Sequence, residues 1–327
     1  MSAKYFAQGI ADLPRVAEDD GTSLVARAAW LHFCGGLTQS EVAKRLSVPS
    51  TKAHRLIAQA TRDGMVQVFV QAEVSECTRL EHQILSKWGL NFCQVAPDLG
   101  EQGLPLRSLG MAGAGYLRMM LENRDIACIG IGHGRTLAAA VTDLPRLKTA
   151  KVMVVSLLGG LTRKFAANPF DVIHRIAEKT VLEAYMLPAP LYASRPSDRD
   201  VLMAQIGVGE VFELGRTAEL LVVGIGGVGE LAHLMETSTV TDEEMMELER
   251  LGAVGEILGH YLDADGQPVP SSLSERVMSP PISTLKGSNV VGIAGGAEKI
   301  DAIRAVLTSG MLKGLITDEV TAQRLVS

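Results

Sequence analysis

Apolar and polar residues follow a helical period in the first quarter of the chain. Apolar positions recur three or four residues apart there, which predicts helices over Ser23–Phe33, Gln39–Leu46 and Thr51–Asp63. Thr22 and Ser50 are expected to cap the first and third of these helices. A further amphipathic helix is predicted from Ser75 to Leu90. Its apolar face would carry Leu80, Ile84, Leu85 and Trp88.

The pattern changes after residue 90 to short runs that are apolar at every position. These runs predict strands at Phe92–Ala96, Ile126–Ile131, Val152–Leu158, Leu220–Ile225, Val290–Ala294 and Gly314–Ile316. Helical stretches separate the runs, and several runs end in glycine-rich turns. Strands that are apolar on both faces and joined by helices are typical of a parallel sheet covered on both sides. The fold class expected for this part of the chain is therefore α/β, with a Rossmann-like parallel sheet.

The segment Leu37–Ile57 has the spacing of a helix-turn-helix. Thr38 precedes Glu41 by three residues, which predicts a capping box at the start of the first helix. Ser47–Pro49 separates the two helices, and small Ala43 lies where they would cross closely. Ser47 stands where such turns usually carry glycine, which makes the turn geometry less favourable.

Polar and basic residues would occupy the outward face of this motif, where a recognition helix meets base edges and phosphates. We expect DNA contacts from Thr38, Gln39, Ser50, Thr51, Lys52, His54 and Arg55. Met65–Ala72 alternates like a strand and is predicted to form half of a wing, making the module a winged helix-turn-helix. The alternative is a plain helical hairpin that binds nothing.

Charge separates this module from the rest of the chain. The formal net charge is −6, but residues 22–72 alone carry +4, which leaves −10 elsewhere. A small basic module on an acidic body favours nucleic acid as the partner of one end only. We predict a flexible lead-in at 1–21, a DNA-binding domain at 22–72, a linker and oligomerisation helix at 73–90, and an effector domain at 91–327.

Composition excludes several classes of protein. Hydrophobic residues make up 47% and charged residues 21%, as in ordinary globular proteins. Neither a membrane span nor a secretory signal is visible, so a cytoplasmic protein without membrane contact is expected. The four cysteines lie far apart and form no CxxC pair, which favours free buried thiols and gives little support to a redox sensor. No motif predicts a metal or a cofactor.

Two glycine-rich turns are candidates for binding an anion. Gly132, His133, Gly134, Arg135 and Thr136 follow an apolar strand and open a helix, where backbone N–H groups and the helix dipole favour negative charge. Lys299 follows Gly295–Gly296 in the same kind of turn. A lysine in the first turn of a helix opposes the dipole unless an anion is bound there. The alternatives are a purely structural turn and a solvated lysine.

Other polar and glycine positions complete the predicted effector site. Glu256 and Asp263 offer carboxylates that accept hydrogen bonds from hydroxyl groups, although capping and turn formation would explain them equally well. Gly159, Gly160 and Gly226 follow predicted strands and are expected to face the same site.

Several short blocks, in this order, resemble the SorC family of sugar-binding transcriptional regulators. The resemblance runs from about Leu24 to the C-terminus. The most specific blocks are Gly36–Ala43, Val154–Gly160, Pro188–Leu191, Val223–Gly226, Gly252–Gly259, Gly292–Gly296 with Lys299, and Ile316–Glu319.

The resemblance implies an effector domain with the fold of sugar-phosphate isomerases and deaminases. It implies that the turn at Gly132–Thr136 and Lys299 surround a ligand phosphate, and that Glu256 and Asp263 lie near sugar hydroxyls. The family more often has Gly-Asp where this chain has Gly255–Glu256, so the longer side chain should reshape the pocket. Family members are commonly tetramers on paired operator sites, which implies a homo-oligomer here, with a tetramer expected.

The function expected from the sequence is that of a regulator of a carbohydrate or polyol catabolic operon. Its partners would be operator DNA and a small phosphorylated sugar or polyol. The alternative is a sugar-phosphate isomerase or deaminase with an accessory DNA-binding domain. No sharp catalytic motif accompanies His133, Glu256 or Asp263, so a non-enzymatic protein is favoured.

Overall fold

The computed structural model of the chain describes residues 21–63, 65–66, 75–147, 152–161, 171–229 and 233–327. It divides into two compact units, residues 1–70 and 71–327. Most of the predicted wing strand, and the predicted lead-in up to residue 20, lie outside the described residues. Met65 and Val66, the described part of that strand, are in neither a helix nor a strand.

The first unit is helical and confirms the predicted helix-turn-helix. Its helices are α1 (Gly21–Ala29), which continues as a π-helical turn over Trp30–Cys34, α2 (Gln39–Leu46) and α3 (Ser50–Arg62). Two predicted caps are wrong. Thr22 lies inside α1, and Ser50 is the first residue of α3, whose preceding residue is Pro49. Pro49 has the extended backbone of a cap, and its carbonyl accepts the first helical hydrogen bonds.

The second unit contains the remaining helices and all the strands described. The helices are α4 (Ser75–Trp88), α5 (Leu106–Leu121), α6 (Arg135–Asp143), α7 (Val172–Lys179), α8 (Pro196–Met203), α9 (Val208–Thr217), α10 (His233–Glu236), α11 (Asp242–Arg250), α12 (Ile282–Gly287), α13 (Ile300–Thr308) and α14 (Glu319–Val326). The strands are β1 (Phe92–Ala96), β2 (Cys128–Ile131), β3 (Met153–Ser156), β4 (Ala184–Tyr185), β5 (Leu220–Val223), β6 (Gly226–Gly227), β7 (Gly255–Ile257), β8 (His260–Leu262), β9 (Val290–Ile293) and β10 (Gly314–Asp318).

A parallel sheet of seven strands forms the centre of this unit, in the order β1-β10-β9-β5-β2-β3-β4. Every residue of β2, β5, β9 and β10 is buried, as their uninterrupted apolar runs predicted. All six predicted strands are present, so the expected α/β fold is confirmed. Two hydrophobic clusters flank the sheet.

A second sheet, antiparallel and formed by β6, β7 and β8, was not predicted. Its strands are two or three residues long, and β6 and β7 contain glycine, so they carry little of the alternation that marks a strand. The sheet packs on α13, and a Cβ at Gly255 would lie 2.9 Å from the carbonyl oxygen of Ala302. This sheet carries Gly226 and Glu256, two of the predicted site residues.

The helix α4 packs within the second unit, against β1 and α14. Leu80 and Ile84 are fully buried there, and Leu85 and Trp88 pack against the same cluster. The apolar face that we expected to meet a second copy is therefore covered by the chain itself. Cys77, Cys93 and Cys128 are buried as expected, whereas Cys34 is exposed. Among the described residues, no helix combines the length and apolar character needed to span a membrane.

Candidate functional site

The capping box at the start of α2 has the predicted geometry. The backbone N–H of Thr38 donates to Oε2 of Glu41 at 2.8 Å, and the N–H of Glu41 donates to Oγ1 of Thr38 at 3.4 Å. These two bonds satisfy donors that the first turn of a helix cannot satisfy internally. They fix the beginning of α2 ahead of the turn to α3.

The turn between α2 and α3 depends on Ser47, which adopts the left-handed conformation with φ 54° and ψ 41°. Its N–H closes the helix by donating to the carbonyls of Ala43 and Lys44. This is the conformation that glycine usually supplies at the end of a helix. The doubt raised by the missing glycine is thus resolved, because serine takes the same backbone shape.

Burial separates the two faces of the motif as predicted. Val42, Ala43, Ala53, Leu56 and Ile57 are buried in the core of the first unit. All seven residues expected to contact DNA are exposed, namely Thr38, Gln39, Ser50, Thr51, Lys52, His54 and Arg55. The N-terminal half of α3 thus presents a polar, basic surface of the kind that enters a major groove.

The effector unit has a cleft at the carboxyl ends of its parallel strands, enclosing about 600 Å³ of empty space that includes its open mouth. Loops following β2, β3, β5 and β9 contribute to its wall, and this edge is where open α/β sheets bind ligands. The described residues of the wall are His133, Gly134, Arg135, Thr136, Leu158, Leu161, Leu191, Gly224, Ile225, Gly226, Gly227, Leu234, Glu256, Leu258 and Lys299.

The predicted anion-binding groups meet in this cleft. Gly134 precedes α6 and has a φ of 123°, so the chain turns sharply into the first N–H groups of the helix. Lys299 ends a 3-10 turn after β9, and its Nζ donates to the carbonyl of Ile225 at 2.8 Å. The turn after β2 and Lys299 therefore bring a helix N-terminus and an ammonium group to one cleft.

The side chains of His133 and Thr136 are held by neighbouring strands. Ser156 Oγ donates to the carbonyl of Leu158 at 2.8 Å, so its contact with His133 Nε2 at 3.2 Å has the imidazole as donor. Thr136 Oγ1 donates to the carbonyl of Ile293 at 2.9 Å. That hydrogen ties α6 to β9, so the hydroxyl of Thr136 does not donate to the cleft, and the turn offers an anion its backbone N–H groups instead.

Glu256 enters the cleft from β7. Its Oε1 accepts the N–H of Gly259 at 2.5 Å, and Gly226 faces it across the antiparallel pair β6–β7. Burial raises the pKa of Glu256 to about 7, against the opposing effects of the Gly259 N–H and the Lys299 ammonium. A carboxyl group with such a pKa both donates and accepts hydrogen bonds near neutral pH.

Four predicted effector residues do not reach the cleft wall. Gly132 is buried and donates its N–H to the carbonyl of Val222. Asp263 forms a turn instead, because its Oδ1 accepts the N–H groups of Asp265 and Gln267. The other two are Gly159 and Gly160, which follow β3.

Gly159 and Gly160 serve chain packing. The N–H of Gly160 donates to the carbonyl of Ala189, and Gly160 itself is exposed. A Cβ at Gly159 would lie 2.3 Å from the carbonyl oxygen of Pro190, so only glycine allows this close approach. Their position after a strand predicted the right edge of the sheet but not their role.

The apolar part of the cleft wall was not predicted from the sequence. Leu158, Leu161, Leu191, Ile225, Leu234 and Leu258 line the cleft. Leucine and isoleucine at these positions have no feature that distinguishes them from core residues, so only the fold identifies them. The one available signal was that Leu158 and Ile225 lie within or beside glycine-rich strand ends.

The block Ile316–Glu319 supports the turn before Lys299. Asp318 is buried, and its Oδ2 accepts the N–H of Gly296 at 3.2 Å and the hydroxyl of Thr321 at 2.5 Å. Thr321 Oγ1 also accepts the Gly296 N–H, at 2.8 Å. These buried bonds fix the backbone three residues before the lysine, although neither side chain lines the cleft.

Comparison with known proteins agrees with this two-part organisation. Residues 72–327 match the family described as "Putative sugar-binding domain". The erythritol catabolism regulatory protein EryD of Brucella abortus is 52% identical over 308 residues, covering 94% of this chain and 98% of that protein. The transcriptional regulator LsrR of an Enterobacter species is 30% identical over 310 residues, covering 93% of each.

A solved structure extends the similarity to both units. The full-length sorbitol operon regulator SorC of Klebsiella pneumoniae superposes with a TM-score of 0.69 at 25% identity, covering 94% of this chain and 100% of that one. Family, relatives and fold agree with the basic helix-turn-helix and the cleft at the sheet edge. This chain belongs to the SorC family of sugar-binding transcriptional regulators.

Proposed function

We propose that this regulator binds operator DNA through α3 and that a small phosphorylated sugar or polyol, bound in the cleft, controls that binding. The observation that carries the proposal is the meeting of the α6 N-terminus, Lys299 and Glu256 in one cleft. The first two suit a phosphate and the third suits hydroxyl groups. The name of EryD makes a phosphate of erythritol, a four-carbon polyol, the first effector to test.

The phosphate end of the ligand is assigned to the turn after β2. A helix N-terminus supplies backbone N–H groups and a favourable dipole, and Lys299 adds a charge-assisted bond. The hydroxyl end is assigned to Glu256, whose pKa of about 7 lets the carboxyl donate as well as accept. An unphosphorylated polyol would interact with Glu256 but not with the phosphate-binding turn and Lys299, and it should therefore bind more weakly.

We further propose that the protein works by binding rather than by turnover, in the cytoplasm, and as a homo-oligomer on DNA. A symmetric operator requires at least a dimer. An isomerase would need a general acid and a general base within reach of the substrate. Glu256 has a suitable pKa for one of these roles, but the imidazole of His133, the candidate for the other, donates to Ser156. Sedimentation at micromolar concentration tests the assembly, and a monomer with and without operator would contradict it.

The function is tested on the full chain with two readouts. A thermal-shift series would compare erythritol, erythritol phosphate, sorbitol phosphate and inorganic phosphate. A ligand at a hundredfold excess over its Kd stabilises the native state by about 2.7 kcal/mol. Anisotropy of a labelled operator, with and without each compound, then reports the response. Stabilisation by no phosphorylated compound, or no effect on operator binding, would contradict the proposal. Appearance of a sugar-phosphate product by NMR would favour the enzyme.

A further inference from the structure

Leu258 has a backbone conformation that leucine rarely adopts. Its φ is +51°, and the φ of the next residue, Gly259, is +81°. The two residues form the whole loop between β7 and β8, and two consecutive positive φ values are the signature of a type I′ hairpin turn. The first position of such a turn is usually asparagine, aspartate or glycine. Of the described residues on the cleft wall, Leu258 is the one non-glycine residue with positive φ.

Buried hydrogen bonds hold this turn in place. Ser279 Oγ donates to the carbonyl of Leu258 at 2.6 Å, and the hydroxyl of Tyr192 donates to the carbonyl of Gly259 at 2.8 Å. The N–H of Gly259 donates to Glu256 Oε1 at 2.5 Å. Two bonds from separate parts of the chain and one within the hairpin thus fix a strained turn. Backbone strain that the surroundings maintain is characteristic of functional sites.

The strained backbone places the Leu258 side chain on the cleft wall, which the turn after β2 and Glu256 also line. Leu258 is 3% exposed and lines the cleft. A Cβ built at Gly132 would lie 3.3 Å from Leu258 Cδ2, so this side chain lies over the end of β2, just before the turn at His133–Thr136. Glu256 lies two residues before Leu258, on β7. A ligand that contacts both the turn and Glu256 would share the cleft with this side chain.

The geometry points to Leu258 as a residue that determines effector length. It forms an apolar wall that hydrogen-bonds to nothing, in a space that the additional hydroxyl-bearing carbons of a longer polyol phosphate would need. The cleft should accordingly favour a four-carbon over a six-carbon alditol monophosphate. This inference rests on the proposed function, because it takes the phosphate to lie at the α6 turn and a hydroxyl at Glu256.

The test is calorimetric titration of the full-length protein with erythritol phosphate and sorbitol phosphate. We expect the wild type to bind the four-carbon compound at least roughly tenfold more tightly, since one or two methylene-sized groups in a pocket discriminate by about 10- to 200-fold. In Leu258→Ala and Leu258→Gly that ratio should fall by roughly tenfold. The glycine variant suits a positive φ and keeps the test valid if the alanine variant folds poorly.

Two controls accompany these variants. Leu258→Met nearly preserves the volume of the wall and should retain most of the discrimination. Leu121→Ala removes an equally buried leucine from α5, outside the cleft, and should leave the ratio unchanged. If both Leu258→Ala and Leu258→Gly keep the wild-type ratio of affinities for the two phosphates, the inference about Leu258 is wrong, while the proposed effector class still stands. A wild type that binds neither phosphate would overturn the inference together with the proposed effector class.

Discussion

The carboxylate of Glu256 lies directly across the backbone of Gly226, its partner in the antiparallel pair of β6 and β7. A Cβ at position 226 would come within 2.3 Å of Oε2. The cleft therefore accommodates a buried carboxyl group because the opposite strand has no side chain at this point. The glycine-rich sequence after β5 thus has a defined purpose, which is to leave room for an acidic side chain from another strand.

Gly226→Ala should displace the Glu256 carboxyl while the chain still folds, because the clashing atom is the end of a flexible side chain. We expect effector affinity to fall by about tenfold or more, the size of one lost hydrogen bond to a polar ligand. Gly115→Ala is the matched control, since Gly115 lies in α5, outside the cleft wall, and its Cβ would meet no atom within 4 Å. Calorimetric titration of both variants checks this. Equal affinities in the two variants would show that Gly226 does not position the carboxyl group.

The raised pKa of Glu256 predicts a stability that depends on pH. Its pKa rises from an ordinary 4.5 to about 7 in the folded state, so between these values the folded chain binds more protons than the unfolded chain. This residue's contribution to stability should therefore decrease as pH rises through that window, by up to about 1.4 kcal/mol per pH unit. The change should level off above about pH 7.

Glu256→Gln isolates this effect, because glutamine keeps an oxygen for the Gly259 N–H but does not titrate. His260 contributes in the opposite direction, since burial lowers its pKa and stability from that group rises with pH. The difference between wild type and variant removes the His260 contribution. Calorimetric melting of the second unit in the full chain, at pH values from about 5 to 8, gives the free energy of unfolding of both proteins. The stability of the wild type should fall relative to that of Glu256→Gln as pH rises toward 7. A difference independent of pH would contradict the prediction.

Local patterns predicted most of the fold. The six predicted parallel strands were identifiable because burial on both faces makes a strand uniformly apolar, and the helix-turn-helix because caps and spacing are local. The partner of an apolar face is not a local property. The α4 pattern predicted a buried face, but Leu80 and Ile84 pack inside their own unit and not against a second copy.

The candidate site was only partly predictable, for the same reason. Gly134 and Lys299 lie in turns whose sequence indicates anion binding, Glu256 offers a carboxylate from β7, and all three line the cleft. Asp263 has equally suitable chemistry but is used in a turn of its own. Leu258 could not be found, because leucine is not a turn-forming residue, and the glycine that follows it marks a turn without indicating a positive φ at position 258. Its role emerges only from the hairpin formed by β7 and β8.

The exposed face of α3 predicts how DNA binding responds to mutation. Lys52→Ala and Arg55→Ala should each weaken operator binding while leaving thermal stability nearly unchanged, since both side chains are exposed. A lost base contact costs about 1–3 kcal/mol, and a lost phosphate contact reduces the salt dependence of binding. Anisotropy titrations at several salt concentrations distinguish the two. Lys286→Ala, an exposed lysine of the effector unit, is the control. Unchanged operator affinity in both α3 variants would show that α3 is not the recognition helix.

The left-handed backbone of Ser47 predicts that replacing this serine with glycine stabilises the DNA-binding unit. A residue with a Cβ pays about 1–2 kcal/mol for the left-handed conformation, whereas glycine adopts it freely but has a more flexible unfolded state. Ser47→Gly should therefore stabilise the unit by up to roughly 1 kcal/mol. Hydrogen exchange of the α2 and α3 amides in the full chain measures this. Serine is exposed here, so no buried contact is lost. Faster exchange in the variant would show that the serine side chain stabilises the turn.

Lys299 provides the sharpest test of the phosphate assignment. A charge-assisted hydrogen bond contributes about 1.5–3 kcal/mol, so Lys299→Ala should weaken binding of a polyol phosphate by roughly ten- to a hundredfold. Binding of the unphosphorylated polyol should change much less. Operator affinity without effector should also be retained, because Lys299 belongs to the effector unit and not to the helix-turn-helix.

The lysine also donates to the carbonyl of Ile225, so its removal has a structural component that must be separated from the loss of charge. Lys299→Gln keeps a neutral N–H donor on a side chain that is one bond shorter, and Lys286→Ala removes an exposed lysine elsewhere. If the charge recognises phosphate, both Lys299 variants should lose the preference for the phosphorylated ligand, with thermal stability of Lys299→Gln close to wild type. Retained preference in Lys299→Gln would mean that Lys299 only braces the Ile225 loop, and that the phosphate is bound by the α6 turn without it.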